Sequence, residues 1–500
     1  MADTKREIER KYESDDSGLP DLTGVAGVAS VVDKGVAHLD ATYYDTPDER
    51  LASASITLRR RTGGSDAGWH LKFPVAQGVR DEIQAPLSDD LPDELAGLVR
   101  SRVRHGELAP VVRLRSDRDV RDLVDADGRL LAEVSVDAVH AQRLAGGDGV
   151  AQWTEIEVEL ADGVDPVFLD KVEKRLRKAG VRPSKSASKL ARALAETAPK
   201  KLAPGPAADP VTAGDHVLAY VRVQRDAIVE LDPAVRQDAE DSVHSMRVAT
   251  RRMRSTFKSF GKILDREVTD PLGDELKWLA GELGVDRDRE VLNERLSASL
   301  EQVPRALVSG PVAERVSHWA GDRPGGASSR LIGILDSGRY LALLDALDAL
   351  LADPPLREKA GKKPGKVLPK AVKKDFGKVS ALVEQAVELD PGSDRDVAIH
   401  EARKKTKRTR YAAEAVVPAL GKPAKDLVKT MKSLQNLLGE HQDSVMARQT
   451  LRELSAVAHA AGESAFTYGL LYGREEQRAA AVEAELPEFW DGIKGGTDLL

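Results

Sequence analysis

Two hydrophobic periods divide this chain. Up to about residue 195, apolar and polar positions alternate in short stretches at 7–12, 55–61, 69–73, 80–84, 111–115, 130–137 and 153–160. Period two is the signature of strands, and turn signals such as Thr62-Gly63-Gly64 and Asp127-Gly128 separate several of them, as antiparallel pairing requires. Helical patches at 92–104 and 166–194 complete a predicted α+β domain. Residues 196–211 are rich in Pro and Ala and read as a linker. From 212 to about 485 the period is 3.6 throughout, which predicts an all-α domain. Two loops interrupt it, at 321–330 (Gly and Ser) and 352–370 (Pro and Lys).

The strands have unusual polar faces. Glu7, Glu9 and Lys11 share one side of a strand, as do Arg59 with Arg61, His70 with Lys72, Arg80 with Glu82, Arg113 with Arg115, Glu133 with Asp137, and Glu155 with Glu157 and Glu159. The opposite sides carry residues such as Ile8, Ile83, Val112, Leu114, Ile156 and Val158. A polar face in water is ordinary for an antiparallel sheet, but these faces are almost wholly charged, carboxylates on some strands and cations on others. Closed into a barrel with those faces inward, the sheet would set a carboxylate cluster beside an Arg/Lys cluster. Hard oxygen ligands suit Mg²⁺ or Mn²⁺, and the cations would clamp phosphate through charge-assisted bonds.

The helical half repeats itself. His244, Arg247, Thr250, Arg251, Arg252 and Arg254 align position by position with His400, Arg403, Thr406, Lys407, Arg408 and Arg410. About forty residues after each His comes Leu-Gly followed by Asp: Leu283-Gly284 with Asp288, and Leu438-Gly439 with Asp443. The repeat predicts two pseudo-symmetric helical bundles, about 212–320 and 370–485. On a helical wheel Arg247, Arg251, Arg254 and Lys258 fall within roughly 80° of His244. Met246, Ala249, Met253, Phe257 and Phe260 take the far side, toward a core. The second copy repeats the arc with His400, Arg403, Lys407 and Arg410, Lys404 and Tyr411 lying beside it. Stacked like charges repel by tenths of a kcal/mol per pair, so a dense anion that neutralises them gives the pattern a purpose.

Composition sharpens this picture. Among 500 residues 41% are apolar, 31% charged and 4% aromatic, so a packed core is available, built mainly from Ala, Leu and Val. The absence of Cys excludes disulfides, thiolate metal sites and cysteine nucleophiles. The net charge is -7, which argues against a surface that coats nucleic acid, and few aromatics are present to stack bases. No apolar run reaches a membrane span, and residues 1–11 are too charged for a signal peptide. The expectation is a cytoplasmic protein with local anion sites and no membrane partner.

Two family resemblances follow from these motifs. The Glu7-x-Glu9-x-Lys11 strand, with Tyr44-Asp45-Thr46, Leu58-Arg59-x-Arg61, Lys72, the 113–118 Arg cluster and Glu155-x-Glu157-x-Glu159, resembles the CYTH superfamily of triphosphate tunnel metalloenzymes over residues 5–195. That resemblance implies an eight-stranded antiparallel tunnel, a divalent metal and a linear triphosphate substrate. It assigns Glu7, Glu9, Glu155, Glu157 and Glu159 to the metal and Glu7, Glu9 and Lys11 to catalysis. It assigns Arg59, Arg61, Lys72, Arg113, Arg115, Lys185 and Lys189 to phosphate, with Lys185 and Lys189 spaced to share one helix face; Asp45 is expected to shape a turn. The doubled His-x-x-Arg-x3-[Arg/Lys]-Arg-x-Arg motif resembles the CHAD domain, the conserved histidine α-helical domain, over 212–485. It implies inorganic polyphosphate bound by His244, Arg247, Arg251, Arg252, Arg254, Lys258, His400, Arg403, Lys404, Lys407, Arg408 and Arg410. Metal-assisted hydrolysis of a terminal phosphoanhydride is the favoured reading. The alternatives are a non-catalytic polyphosphate-binding or granule-associated protein and, third, an adenylate cyclase-like activity, for which no adenine pocket is recognisable.

Overall fold

The computed structural model describes residues 3–14, 18–197, 209–321 and 329–495. The chain divides into two compact units, residues 1–206 and 207–500.

The first unit is a ring. Strands β1 (Asp3–Glu13), β2 (Ser30–Asp45), β3 (Thr57–Thr62), β4 (Gly68–Ala76), β5 (Val79–Pro86), β6 (Ala109–Val124), β7 (Leu130–Arg143) and β8 (Val150–Leu160) run in the order β5-β4-β3-β2-β6-β7-β8-β1, and β1 pairs back onto β5. All these pairings are antiparallel, and Glu7↔Arg80 and Lys11↔Glu157 set the register at the closure. Every expected strand is present. β2 is the one that periodicity missed. Its first half is exposed on nearly every residue and bulges between Asp33 and Gly35, so alternation emerges only after Leu39.

Helices pack on the outside of the ring, after a single turn, α1 (Arg50–Ser53). α2 (Asp93–Val103) covers Leu58, Trp69, Leu71 and Ile83 of β3–β5, while α3 (Val167–Lys178) covers Val134, Ile156 and Val158 of β7 and β8. With the apolar strand faces buried outward, the charged faces point into the lumen. The patch at 166–194 is not one helix: α3 stops at Lys178, Gly180 turns with φ 87°, a two-residue strand β9 (Arg182–Pro183) joins β1, and α4 (Lys189–Thr197) follows. Leu190, Ala193 and Leu194 of α4 pack on Ala41, Val112, Leu114, Val139 and Trp153, inward residues at one end of the ring. The expected linker 196–211 falls largely at 198–208, outside the described residues, as does most of the expected loop at 321–330.

The second unit is helical. α5 (Ala213–Arg236) opens on a capping box in which Thr212 and Asp215 satisfy each other's backbone. It is followed by α6 (Ser242–Ser259), α7 (Arg266–Glu282), α8 (Val285–Glu301), α9 (Val312–Ala320), α10 (Ser329–Asp336) and α11 (Gly338–Ala352). Then come α12 (Pro364–Glu388), α13 (Ser393–Leu420), α14 (Lys422–Ala460) and α15 (Phe466–Ile493). The duplication is visible: α6 and α13 carry the two motifs, and the single helix α14 stands where α7 and α8, broken at Leu283-Gly284, stand in the first copy. Met246, Ala249, Met253, Phe257 and Phe260 are all buried, as the wheel requires. The expected loop at 352–370 ends early because Pro364 sits in the first turn of α12, where its missing N–H costs nothing. Among the described residues no helix is long and apolar enough to cross a membrane.

Candidate functional site

Among the described residues the lumen is lined by the cations Lys11, Arg59, Arg61, Lys72, Arg80, Arg118 and Lys189 and by the carboxylates Glu7, Glu9, Asp66, Glu82, Glu157 and Glu159, with Tyr43, Thr57 and Ser188 between them. On the β3–β5 wall, the Lys72 ammonium lies 2.5 Å from Glu7 and 3.3 Å from Glu82. His70 Nδ1 is 2.9 Å from Glu82, and Arg59 donates to the Tyr43 hydroxyl at 3.3 Å. On the β6–β8 wall, Arg118 grips Asp137 through two bonds of 2.7 and 2.9 Å and reaches Glu157 at 2.9 Å. Lys189 lies 3.1 Å from Asp137, 2.8 Å from Glu155 and 2.5 Å from Glu157. Lys11 bonds Glu9 at 3.0 Å and also contacts Glu157. The Trp153 indole donates to Glu155 at 2.6 Å. Glu159, at the rim, accepts from Lys5 at 2.7 Å.

Burial decides the electrostatics. It pushes Glu7 up to about 7, against the pull of Lys72. Glu9 is desolvated too, but Lys11 and Lys72 together outweigh that and hold it below the usual carboxylate range. Glu157, surrounded by Lys11, Lys189 and Arg118, is held well below that range despite its burial. Arg61 is pulled down to about 9 by burial and then by Arg59 and Arg118. The oxygens of Asp137, Glu155 and Glu157 lie within 4.8 Å of one another, all three residues buried.

Not every expected residue faces the lumen. Arg113 and Arg115 lie on the outer face of β6, where Arg113 donates to Asp40 at 2.8 Å and Arg115 is 3.6 Å from it. The inner face of β6 reads Val112, Leu114, Ser116, Arg118, so the inward cation is Arg118. Lys185 precedes α4 and is exposed, whereas Lys189 is buried; the two do not share a helix face. Arg80, Glu82, Arg118 and Asp137 were legible as charged strand residues but not as site residues. Asp45 does shape a turn: its carboxylate accepts from the backbone N–H groups of Thr46, Leu51 and Ala52 at 2.7–2.9 Å.

In the helical unit, α6 and α13 pack together and bring their basic arcs to one seam. Lys407 is pushed down to about 7 by burial and then by Arg251 and Arg403. Arg251 is lowered by burial, with Arg247 and Arg403 as cationic neighbours. Asp288 and Asp443 occupy corresponding places, holding Arg247 at 2.6 Å and lying 4.0 Å from Arg403. The Leu-Gly motif gains a reason here. A Cβ on Gly284 would lie 2.6 Å from the Arg247 guanidinium, and one on Gly439 3.5 Å from Arg403. The two Leu-Gly segments otherwise differ. Gln442 stands 2.5 Å from His400, Glu440 accepts from Arg295, and buried His441 sits 3.3 and 3.2 Å from Asp396 and Glu483. His244, Lys258 and Lys404 are exposed, and Lys404 pairs with Glu401. Arg252 and Arg408 are tied up in ion pairs between helices, Arg252 of α6 with Glu414 of α13 at 2.9 Å and Arg408 of α13 with Asp375 of α12 at 2.9 Å. Arg410 reaches toward Glu414 at 3.4 Å.

A closed antiparallel tunnel of opposed charges, carried in one chain with a duplicated helical domain, defines the class. The CYTH domain family matches residues 5–194 and the CHAD domain family residues 219–452. Two uncharacterized Mycobacterium tuberculosis proteins, MT2285 and Rv2226, are each 39% identical over 498 residues, covering 96% of this chain and 94% of their own. The chain belongs to this family of CYTH–CHAD proteins. Solved structures similar to it include PptA from Streptomyces chartreusis (21% identity, 56% of this chain, 100% of that one, TM-score 0.48). The CHAD domain from the plant Ricinus communis is also similar (24%, 60%, 98%, TM-score 0.42).

Proposed function

We propose that the tunnel hydrolyses the terminal phosphoanhydride of a linear triphosphate or short polyphosphate, and that the α6–α13 seam binds inorganic polyphosphate. The observation that carries the first part is the lumen itself: a ring wall with cations and carboxylates directed at one enclosed space. The resemblance of residues 5–194 to the CYTH family implies a linear triphosphate substrate and a divalent metal. The buried oxygens of Asp137, Glu155 and Glu157 lie close to one another, a hard donor set of the kind Mg²⁺ or Mn²⁺ takes, with the Lys189 ammonium standing 2.5–3.1 Å from all three residues. Glu7, Glu9 and Glu159 complete the acidic set. When bound, the metal supplies charge neutralisation at phosphate oxygens. The chain's own residues do the rest. Arg59, Arg61, Lys72, Arg80 and Arg118 bind the phosphoryl oxygens and balance the charge that develops on them, while Lys11 and Lys189 hold the carboxylates in place. Water attacks the terminal phosphorus, and the bond to the bridging oxygen breaks, leaving orthophosphate and a chain one unit shorter.

Phosphate release from tripolyphosphate, long polyphosphate, ATP and thiamine triphosphate with Mg²⁺ or Mn²⁺ tests this reading. The double variant Arg113→Gln/Arg115→Gln is expected to keep wild-type release. Arg118→Gln should lose about 10²-fold, as removal of a charged transition-state donor does. Equal effects from the two would overturn the lumen assignment.

For the seam, Lys407 sets the pH dependence. It titrates near 7 without a ligand, and a polyanion beside it raises that value. Polyphosphate affinity is therefore expected to be level below pH 7 and to fall by up to about tenfold per unit above it. Lys407→Arg, charged throughout, should flatten the profile measured by fluorescence titration. A profile unchanged by that substitution would remove Lys407 from the seam's chemistry.

A further inference from the structure

One strongly charged surface is not used by either site. Lys366, Lys370, Lys374 and Lys378 follow one another at i, i+4 along α12, with Lys373 beside them. All but the partly buried Lys378 are exposed, and among the described residues only Lys378 has a carboxylate partner, Asp375, at 3.6 Å. Cations at this spacing destabilise a helix by tenths of a kcal/mol per pair. The corresponding helix of the first copy, α5, shows no such row: Arg222 and Arg225 are interspersed with Asp226 and Glu230. The row is therefore a feature of one half of the duplication.

Its inner end meets the seam. Buried Asp375 contacts three elements at once: it accepts from Ser259 at the end of α6 (2.6 Å), from Arg408 of α13 (2.9 Å), and lies beside Lys378 of its own helix. The Lys378 ammonium is held below its ordinary range by burial and by Arg408, Lys374 and Lys405, so these cations share one neighbourhood. From Lys378 to Lys366 the row runs about 18 Å at the helical rise.

Resting on the polyphosphate reading of the seam, we infer that the lysine row on α12 is a second, outer track on which a long inorganic polyphosphate continues after it leaves the α6–α13 seam, so that the domain prefers long chains to short ones. Lysines are point charges on flexible stems and suit a flexible polymer without a fixed geometry to match. A nucleic acid would need a face to stack on, and the one aromatic of α12, Phe376, is buried against Trp490. Two adjacent binding segments act on one chain as a linked pair, which raises affinity only for ligands long enough to span both.

The test uses the full chain with Lys366, Lys370, Lys373 and Lys374 replaced by Gln, a surface change that keeps helix propensity. Its affinity for polyphosphate of about a hundred units should fall about tenfold or more, and the slope of log K against log salt should flatten by about 3, the value for four released counterions on a flexible chain. Affinity for chains too short to leave the seam should be unchanged. Equal loss for long and short chains, or no loss for long ones, overturns the inference. So does a quadruple variant that loses binding to single-stranded RNA or to phosphatidylserine vesicles while keeping that to long polyphosphate. Arg251→Ala/Lys407→Ala separates the two readings: it should abolish binding of both lengths, and if it does not, the seam assignment fails rather than the track alone.

Discussion

Glu9→Gln is expected to lower the proposed metal-dependent phosphate release from tripolyphosphate by about 10²- to 10³-fold, the size for losing one preorganised charge at the reacting phosphate, and to leave the polyphosphate binding proposed for the helical domain intact. Glu9 is suited to this test because its surroundings tolerate the change. It projects from β1 into the lumen, where Lys11 lies 3.0 Å and Arg80 4.0 Å away. Glutamine keeps the volume and an acceptor for Lys11 while removing the charge. Because Lys11 retains Glu157 as a partner, no buried ammonium is left uncompensated, so circular dichroism should show an unchanged fold. Release within a few-fold of wild type would mean that chemistry does not depend on the acidic face of β1 and would overturn the role given to Glu9.

The largest stability effect is expected from Lys189→Met. Lys189 is buried among Asp137, Glu155 and Glu157, and its ammonium is held above the ordinary range: burial opposes the charge, but the three carboxylates outweigh it. Removing one partner of a buried charge cluster typically costs about 3–5 kcal/mol, because the remaining charges stay desolvated. The first unit should unfold at markedly lower urea while the helical unit is unchanged, giving two separated transitions. The sign with pH is definite. In the wild type, Asp137 and Glu157 are depressed in the folded state, so their contribution is present above the unfolded carboxylate pKa of about 4 and is lost as pH falls through the folded values. Lys189's own contribution is complete below its unfolded pKa and is lost only as pH rises through the higher folded one. In the variant the cation that depresses the carboxylates is gone, so the deficit should be largest near neutrality and narrow on acidification. Added Mg²⁺ should recover part of it if those oxygens take a divalent cation. A deficit that does not change between pH 4 and 7 would show that Lys189 acts through packing alone.

Much of the site could be read before any coordinates because its chemistry is carried by local patterns. Alternation alone places Glu7, Glu9 and Lys11 together, and Glu155 with Glu157 and Glu159, since any extended strand puts i and i+2 on one side. The doubled His-x-x-Arg motif is likewise a single-helix property, and α6 and α13 present it as the wheel requires. The errors share one origin. For β6, alternation points to the polar face at 113 and 115 as the inner one, yet Val112 and Leu114 point inward against α4 and the same inner row becomes charged only at Arg118. A row that changes from apolar to charged along one strand cannot be recognised from alternation, because the change depends on where α4 closes the lumen. Arg252 and Arg408 belong to the motif by sequence, but their charges are taken up by Glu414 and Asp375, which lie 162 and 33 residues away and leave no trace in the motif itself.

By itself, then, the order of residues determined the two secondary-structure classes, the duplication, the families and the identity of most charged groups, since each of these is set by neighbours within one strand or one helix. Tertiary structure decided which side of each strand became the concave one, which lysine of Lys185 and Lys189 entered the lumen, and which arginines of the two motifs faced each other. Those outcomes depend on closure of β1 onto β5 and on packing of α6 against α13, and contacts between segments far apart in the chain leave no periodic trace in either segment.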